Sequence, residues 1–306
     1  MRKIRQMELK AGMSADDLVG EYKRAGVLGA GAMARAADIF EEMVREEAVI
    51  FLGLAGPLTA SGLRSVIVDL MRSDYVHAIV TSGANVVHDL IEAFKGSHYI
   101  GEFYADDREL RRKEIGRIGN VYARMKDFEV FEDKVQGILS EINEEKRKNL
   151  SVKELLWEMG ARIGGDSLLG TAYNLKIPIF SPALVDSMLG LQLYFFSQRN
   201  NIVLNSVKDM HDLVEMVFDA KKTGAIFLGG GVPKHYILGA NLLRNGIDYG
   251  IQITMDREEA GSLSGAKLEE GISWGKAKAR GKLVSLVGDV TVLFPLLVAS
   301  VKERLG

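Results

Sequence analysis

The run Ala48-Val49-Ile50-Phe51-Leu52 is apolar at every position, with charge on one side and glycine on the other. A strand with one face in water alternates polar and apolar residues. An unbroken run of this length therefore points to a strand buried on both faces, as in a parallel sheet. Comparable runs occur at Ala78-Ile79-Val80-Thr81 after His77, Ile177-Pro178-Ile179-Phe180, Ala225-Ile226-Phe227-Leu228, Tyr249-Gly250-Ile251-Gln252-Ile253-Thr254 and Leu283-Val284-Ser285-Leu286-Val287. Helical patterns lie between them, over about 61–72, 86–94, 189–196, 207–220 and 234–243, and a closing helix starts near Leu293. Such alternation predicts an α/β fold: a doubly wound, mostly parallel, Rossmann-like sheet with extra helices.

At the N-terminus, Ser14-Ala15-Asp16-Asp17 reads as a cap followed by acids in a first helical turn. That helix is expected to pause at Gly26, Gly29 and Gly31 and to resume over 33–45. A middle helix over 131–146 places Val135, Ile138, Leu139 and Ile142 on one face, and Ser151 with Glu154 has the form of a capping box. No repeat, low-complexity linker or Pro/Gly-rich hinge divides the chain. One domain over 1–306 is expected, with residues 1–12 as a mobile basic arm.

Composition excludes several function classes. A net charge of −2 gives no bulk attraction to nucleic acid or anionic membrane. With no cysteine there are no disulfides or thiolate metal sites, and the five histidines lack metal-ligand spacing. The basic N-terminus is not followed by an apolar segment of signal-peptide length, and the apolar runs are far too short to span a bilayer. The expectation is a cytoplasmic protein without metal, nucleic-acid or membrane partners.

The chemistry concentrates in Glu270-Gly271-Ile272-Ser273-Trp274-Gly275-Lys276, which sets a carboxylate, an indole and a primary amine within seven residues. An amine desolvated beside an aromatic wall is easier to deprotonate. Such a lysine can form a Schiff base with a carbonyl or imine carbon. Taken alone, the same triplet also describes a packed indole, a turn and a solvated lysine. Gly229-Gly230-Gly231, between the 225–228 run and a helix, permits a tight turn and exposes backbone N–H groups to a diphosphate. It is not the GxGxxG pattern, and a loop needing positive φ reads the same way.

The 270–276 segment resembles the active-site segment of deoxyhypusine synthases. Further similarity lies at Phe51-Leu52-Gly53, Ile115-Gly116-Arg117-Ile118-Gly119-Asn120, 177–184, Leu228-Gly229-Gly230-Gly231-Val232-Pro233-Lys234-His235 and 294–299, covering about 13–301. The resemblance implies that NAD oxidises spermidine to an imine and that Lys276 carries its aminobutyl part. A lysine of the hypusine-carrying initiation factor then accepts it, within a homotetramer that shares sites between subunits. It implies NAD binding at Thr81, Ser82, Gly83, Asp186, Gly229, Gly230 and Asp289, although Asp186 and Asp289 also suit helix caps. It also implies Glu270, Trp274 and His235 at the amine, with His235 moving or positioning a proton.

The departures from the family pattern lie at the amine. Leu191, Ala260 and Leu263 stand where the family has aspartates, and Val87 and His88 replace a pair of glutamates. Each charged hydrogen bond to a polyamine is worth roughly 1.5–3 kcal/mol, so losing two weakens binding by about 10²–10⁴-fold unless nearby acids compensate. Three readings stay open at this point: a deoxyhypusine synthase, a related transferase acting between small amines as homospermidine synthases do, and a non-catalytic NAD-binding paralogue.

Overall fold

All six apolar runs form strands in the computed structural model, which describes residues 1–306. In chain order the strands are β1 Val49–Leu54, β2 Ala78–Thr81, β3 His98–Ile100, β4 Ile115–Ile118, β5 Val121–Arg124, β6 Ile179–Phe180, β7 Thr223–Leu228, β8 Ile247–Thr254 and β9 Ala277–Val287. The backbone gathers into two compact units, neither continuous in sequence. The first comprises Met1–Ala55, Tyr75–Val80 and Met210–Gly306; the second comprises Gly56–Asp74 and Thr81–Asp209.

In the first unit the strands run in the order β2-β1-β7-β8-β9. β1 pairs with β7, β7 with β8 and β8 with β9, all in parallel. Every residue of β7 is buried, which explains its lack of alternation. The two faces carry different helices. A Cβ on Gly224 would lie 2.7 Å from Met43 Sδ, in the helix Leu28–Arg45. A Cβ on Gly53 would meet Phe227 at 3.0 Å and Ile237 at 3.3 Å, the latter in the helix Gly231–Asn241. Gly224 and Phe227 are three residues apart on one strand and so point to opposite faces. The sheet is doubly wound, as expected.

The order of winding reverses between β1 and β7, since β2 lies on one side of β1 and β7-β8-β9 on the other. Ligands of open α/β sheets sit at such a reversal, outside the carboxyl ends of the strands. Here those ends are Leu54-Ala55 and Leu228-Gly229, joined where the Ala55 N–H donates to the Leu228 carbonyl at 2.9 Å.

The second unit is mostly helical, built on Arg64–Arg72, Gly83–Ala93, Met125–Glu141, Val152–Gly160, Leu168–Leu175 and Met188–Ser197. It also holds a small antiparallel sheet, β3-β5-β4, that the apolar pattern did not announce. Those strands are three or four residues long and half exposed, so they carry no continuous apolar run.

The capping boxes at Ser14 (with Asp17) and Ser151 (with Glu154) both form. The pause expected at three glycines shortens to one. Gly26 ends the first helix at φ +69, but Gly29 and Gly31 lie inside the helix Leu28–Arg45. A Cβ on Gly31 would come within 2.7 Å of the Gly26 carbonyl, so Gly31 allows the corner to close rather than breaking the helix. The helix expected over 61–72 starts regularly only at Arg64, after a wide turn through Thr59–Leu63. No helix is long and apolar enough to cross a membrane.

Candidate active site

The first unit holds Lys276, His235, Glu270 and Trp274. A short helix, Glu270–Ser273, ends at Trp274, and Gly275 follows in the left-handed conformation at φ +67. The Gly275 N–H donates to the Ile272 carbonyl at 3.1 Å and the Lys276 N–H to the Gly271 carbonyl at 2.8 Å. These two bonds form a Schellman termination, in which glycine takes the position that any side chain would strain. Beyond it, the Lys276 carbonyl accepts the Ile247 N–H at 3.1 Å. The lysine backbone is held on both sides while its side chain stays half-buried.

Lys276 Nζ lies 3.5 Å from His235 Nε2 and 5.6 Å from the centre of the Trp274 ring. It makes no ion pair. Trp274 is 70% exposed, so the indole forms an open wall and not a packed core residue. Glu270 is exposed at the start of the same short helix.

Beneath this corner lies a lysine that the sequence pattern did not single out. Lys234 is 1% exposed, and its ammonium donates to Gln252 Oε1 (2.9 Å), the Leu263 carbonyl (3.0 Å) and the Ala266 carbonyl (2.5 Å). Burial pushes it down to about 8, against the opposing pull of Glu270 and Glu269. Gln252, itself fully buried, donates from Nε2 to the carbonyls of Gly229 (3.1 Å) and Ser264 (2.8 Å). Leu263 thus enters the site through its backbone as well as its half-buried side chain.

The glycine loop leaves its backbone open to a ligand. Gly229 and Gly231 take φ +81 and +57, and a Cβ on Gly230 would lie 2.4 Å from Ser264 Cα. The helix starting at Gly231 has no side-chain cap and no acid in its first turn. A helix start left open and free of negative charge suits a phosphate. Asp289 caps the helix Val290–Leu305, its Oδ1 accepting from the Thr291 N–H (2.7 Å) and Oγ1 (2.6 Å), while the residue stays exposed. The glycine turn and the open start of the Gly231–Asn241 helix fit an NAD diphosphate, whereas Asp289, an acid committed to its own helix cap, does not contribute to that fit.

The remaining sequence candidates lie in the second unit. Thr81 is buried and accepts from Asn85 Nδ2 at 3.0 Å. Ser82 begins the helix Gly83–Ala93 without capping it, and its Oγ is buried with no hydrogen-bond partner. That helix start is also free of acid, so an orphaned hydroxyl and an open helix end coincide. A Cβ on Gly83 would collide with Ser187 at 2.6 Å. Asp186 is exposed, and Ser187 caps the next helix in its place. Leu191 is 41% exposed on that helix.

His88 ends a buried chain of polar groups. Glu92 Oε1 accepts from His98 Nδ1 at 2.8 Å, and His98 Nε2 lies 2.9 Å from His88 Nδ1. The His98 bond holds the Glu92 carboxyl below the ordinary range, so it is ionised and accepts a hydrogen bond from His98 Nδ1–H. With the His98 ring neutral, its Nε2 accepts from His88 Nδ1–H, and His88 Nε2 carries a lone pair. Burial, followed by the neighbouring His98, lowers His88 to about 4. It faces an apolar cavity of about 250 Å³ lined by Ala84, Val87, Ile118, Val121, Met125 and Phe128 among others. Arg64 anchors the chain from behind, bonding Glu92 Oε2 (3.1 Å) and Asp89 Oδ1 (2.6 Å).

The deoxyhypusine synthase family model matches residues 17–301. The chain is 48% identical to the probable deoxyhypusine synthase of Methanothermobacter thermautotrophicus, over 99% of this chain and 98% of that protein. It is 43% identical to that of Methanopyrus kandleri, over 96% of each. Its fold matches the crystal structure of an Entamoeba histolytica protein assigned as a deoxyhypusine synthase, with a TM-score of 0.71 and 21% identity over 98% and 97% of the two chains. The chain belongs to the deoxyhypusine synthase family, a family of transferases.

Proposed function

We propose that this protein transfers the aminobutyl group of spermidine, through an imine on Lys276, to a lysine of the hypusine-carrying initiation factor. The observation that carries the reading is the Lys276 corner: an amine without an ion pair, 3.5 Å from an imidazole and beside an exposed indole. NAD, when bound, would supply the hydride chemistry that amine oxidation and the final imine reduction need. In the first unit Gly229, Gly230 and the open start of the Gly231–Asn241 helix would hold its diphosphate, with Asp289 a further candidate; within the second unit, Thr81, Ser82, Gly83 and Asp186 are the candidates for cofactor contact.

Before attack Lys276 must lose a proton, and the 3.5 Å separation supports His235 Nε2 as the group that takes it. The neutral amine then adds to the substrate imine carbon, and the remaining diamine leaves with a proton. Exchange with the acceptor lysine releases Lys276 unchanged. Trp274 shields the amine from water on one side, and Glu270 offsets the positive charge of the substrate. In the first unit Leu263 is the proposed contact to an uncharged part of the amine; in the second unit, Leu191 and His88 are the candidates for that role.

A homotetramer accompanies this reading. The helix Met188–Ser197 is apolar on all sides, yet Leu191, Tyr194 and Phe195 are 41%, 56% and 51% exposed, which supports a covering subunit. A cytoplasmic location also goes with it.

The test is a borohydride trap. Protein incubated with NAD and spermidine is reduced and peptide-mapped by mass spectrometry. An aminobutyl adduct on Lys276 is expected. An adduct formed only from another amine would make this a repurposed transferase, and no adduct from any amine would sink the covalent reading.

A further inference from the structure

The Gly229 carbonyl and the 263–266 turn converge on two buried side chains, neither of which faces Lys276. Gln252 has one acceptor and two donor hydrogens on its amide, and all three are used: Oε1 by Lys234, the Nε2 hydrogens by Gly229 and Ser264. Turned over, the amide would set its oxygen against two carbonyl oxygens and its NH₂ against an ammonium. Only one orientation works, and it is the Lys234 ammonium that enforces it. The ammonium is itself saturated, since its other two hydrogens go to Leu263 and Ala266.

The bonds of the pair are directed at loops. Gly229 is where β7 ends and the glycine turn begins, and the Gly230 backbone rests on Ser264. Each of the two segments has a carbonyl held by Gln252, and the second segment has two more held by Lys234. We propose that Lys234 and Gln252 are positioning residues that lock the glycine loop and the 263–266 turn in the shape that receives the diphosphate of the cofactor. This rests on the NAD reading above. Hydrogen bonds within a closed network of this kind are mutually dependent, so weakening one member should loosen both loops.

Fluorescence of NADH bound to the full-length protein tests the idea without turnover. Gln252→Glu keeps an acceptor for Lys234 but cannot donate to Gly229 or Ser264. At least a tenfold loss of NADH affinity is expected, with the unfolding midpoint within a few degrees of the parent. Lys234→Met should lose at least as much; because it strands three buried acceptors, the glutamate variant is the one that decides if it does not fold. In the parent, NADH affinity should decline above pH about 8, where the ammonium loses a proton and with it one of its three bonds. Glu269 and Glu270, the acids acting on Lys234, oppose that loss; in Gln252→Glu the new carboxylate opposes it further and should move the decline to higher pH. Unchanged affinity in Gln252→Glu, or no alkaline decline in the parent, would overturn the positioning role. Failure of the parent to bind NADH at all would overturn the cofactor reading itself, and the role of the pair with it.

Discussion

The Lys276 corner and the chain from Arg64 to His88 treat charge in opposite ways. At the corner, a cation is half exposed, with one imidazole at the limit of hydrogen bonding and no carboxylate partner. In the second unit, Asp89 is fully buried and accepts from Arg64 and from the Leu168 (2.8 Å) and Leu169 (2.9 Å) N–H groups, and polar bonds continue through Glu92 and His98 to His88. The buried chain leaves a single terminal lone pair unused, on His88. Saturated bonding makes a rigid part, and chemistry is available where bonding is left incomplete. Substitutions should therefore separate cleanly: at the corner they remove activity and spare stability, and in the chain they do the reverse.

The largest expected effect is at the corner. Lys276→Ala should abolish the trapped adduct and lower transfer by at least ~10³-fold, since no other group supplies the nucleophile. Its unfolding free energy should change by no more than about 0.5 kcal/mol, as for a surface position. A clear drop in stability, read by denaturant unfolding, would break the comparison from that side.

Next comes Asp89→Ala. It leaves a guanidinium and two N–H groups without their acceptor in a buried setting and should cost about 3–5 kcal/mol in the same measurement. Burial outweighs Arg64 and the two N–H groups and raises the Asp89 carboxyl, so the folded state takes up this proton before the unfolded chain does and acidification does not weaken the fold through this group.

A third effect is pH-dependent. An unfolded histidine takes its proton near pH 6.5, whereas folded His88 does so only near 4. Between these values the unfolded state holds the extra proton, so stability falls as pH falls through that window, by about 3 kcal/mol in all. His88→Gln should flatten the stability profile between pH 6.5 and 4. A profile unchanged in that variant would show that the titration belongs elsewhere.

The smallest effect is at Trp274. An exposed cation–π contact is worth roughly 0.5–1 kcal/mol, so Trp274→Ala should raise the amine KM about two- to fivefold through that contact alone. A larger loss would sharpen the picture by showing that the indole is covered when substrate is bound.

Much of the fold was legible because buried parallel strands announce themselves locally. The six apolar runs, both serine capping boxes and the glycine before Lys276 are decided by neighbours in sequence. The rest depends on distant partners. Lys234 follows Val232-Pro233 and reads as an ordinary lysine in a first helical turn. What makes it an interior group is an amide 18 residues on and two carbonyls further still. His88 could be recognised by its place in a family motif, but its tautomer follows from His98 and Glu92, which no spacing rule links to it. The small β3-β5-β4 sheet escaped for a related reason: half-exposed strands of three or four residues carry too little pattern.

The pairing of β8 with β9 is irregular. Ile247 lies opposite Ala277, but Tyr249 lies opposite Lys282, so two residues of one strand are matched by five of the other. Lys276 stands just before this slack, anchored by its own turn and by Ile247. A strand that gained or lost a residue over 278–281 could take up the difference there and leave the lysine where it was. The position of Lys276 is thereby set by its own turn and by Ile247, and not by the register of the strand that follows it.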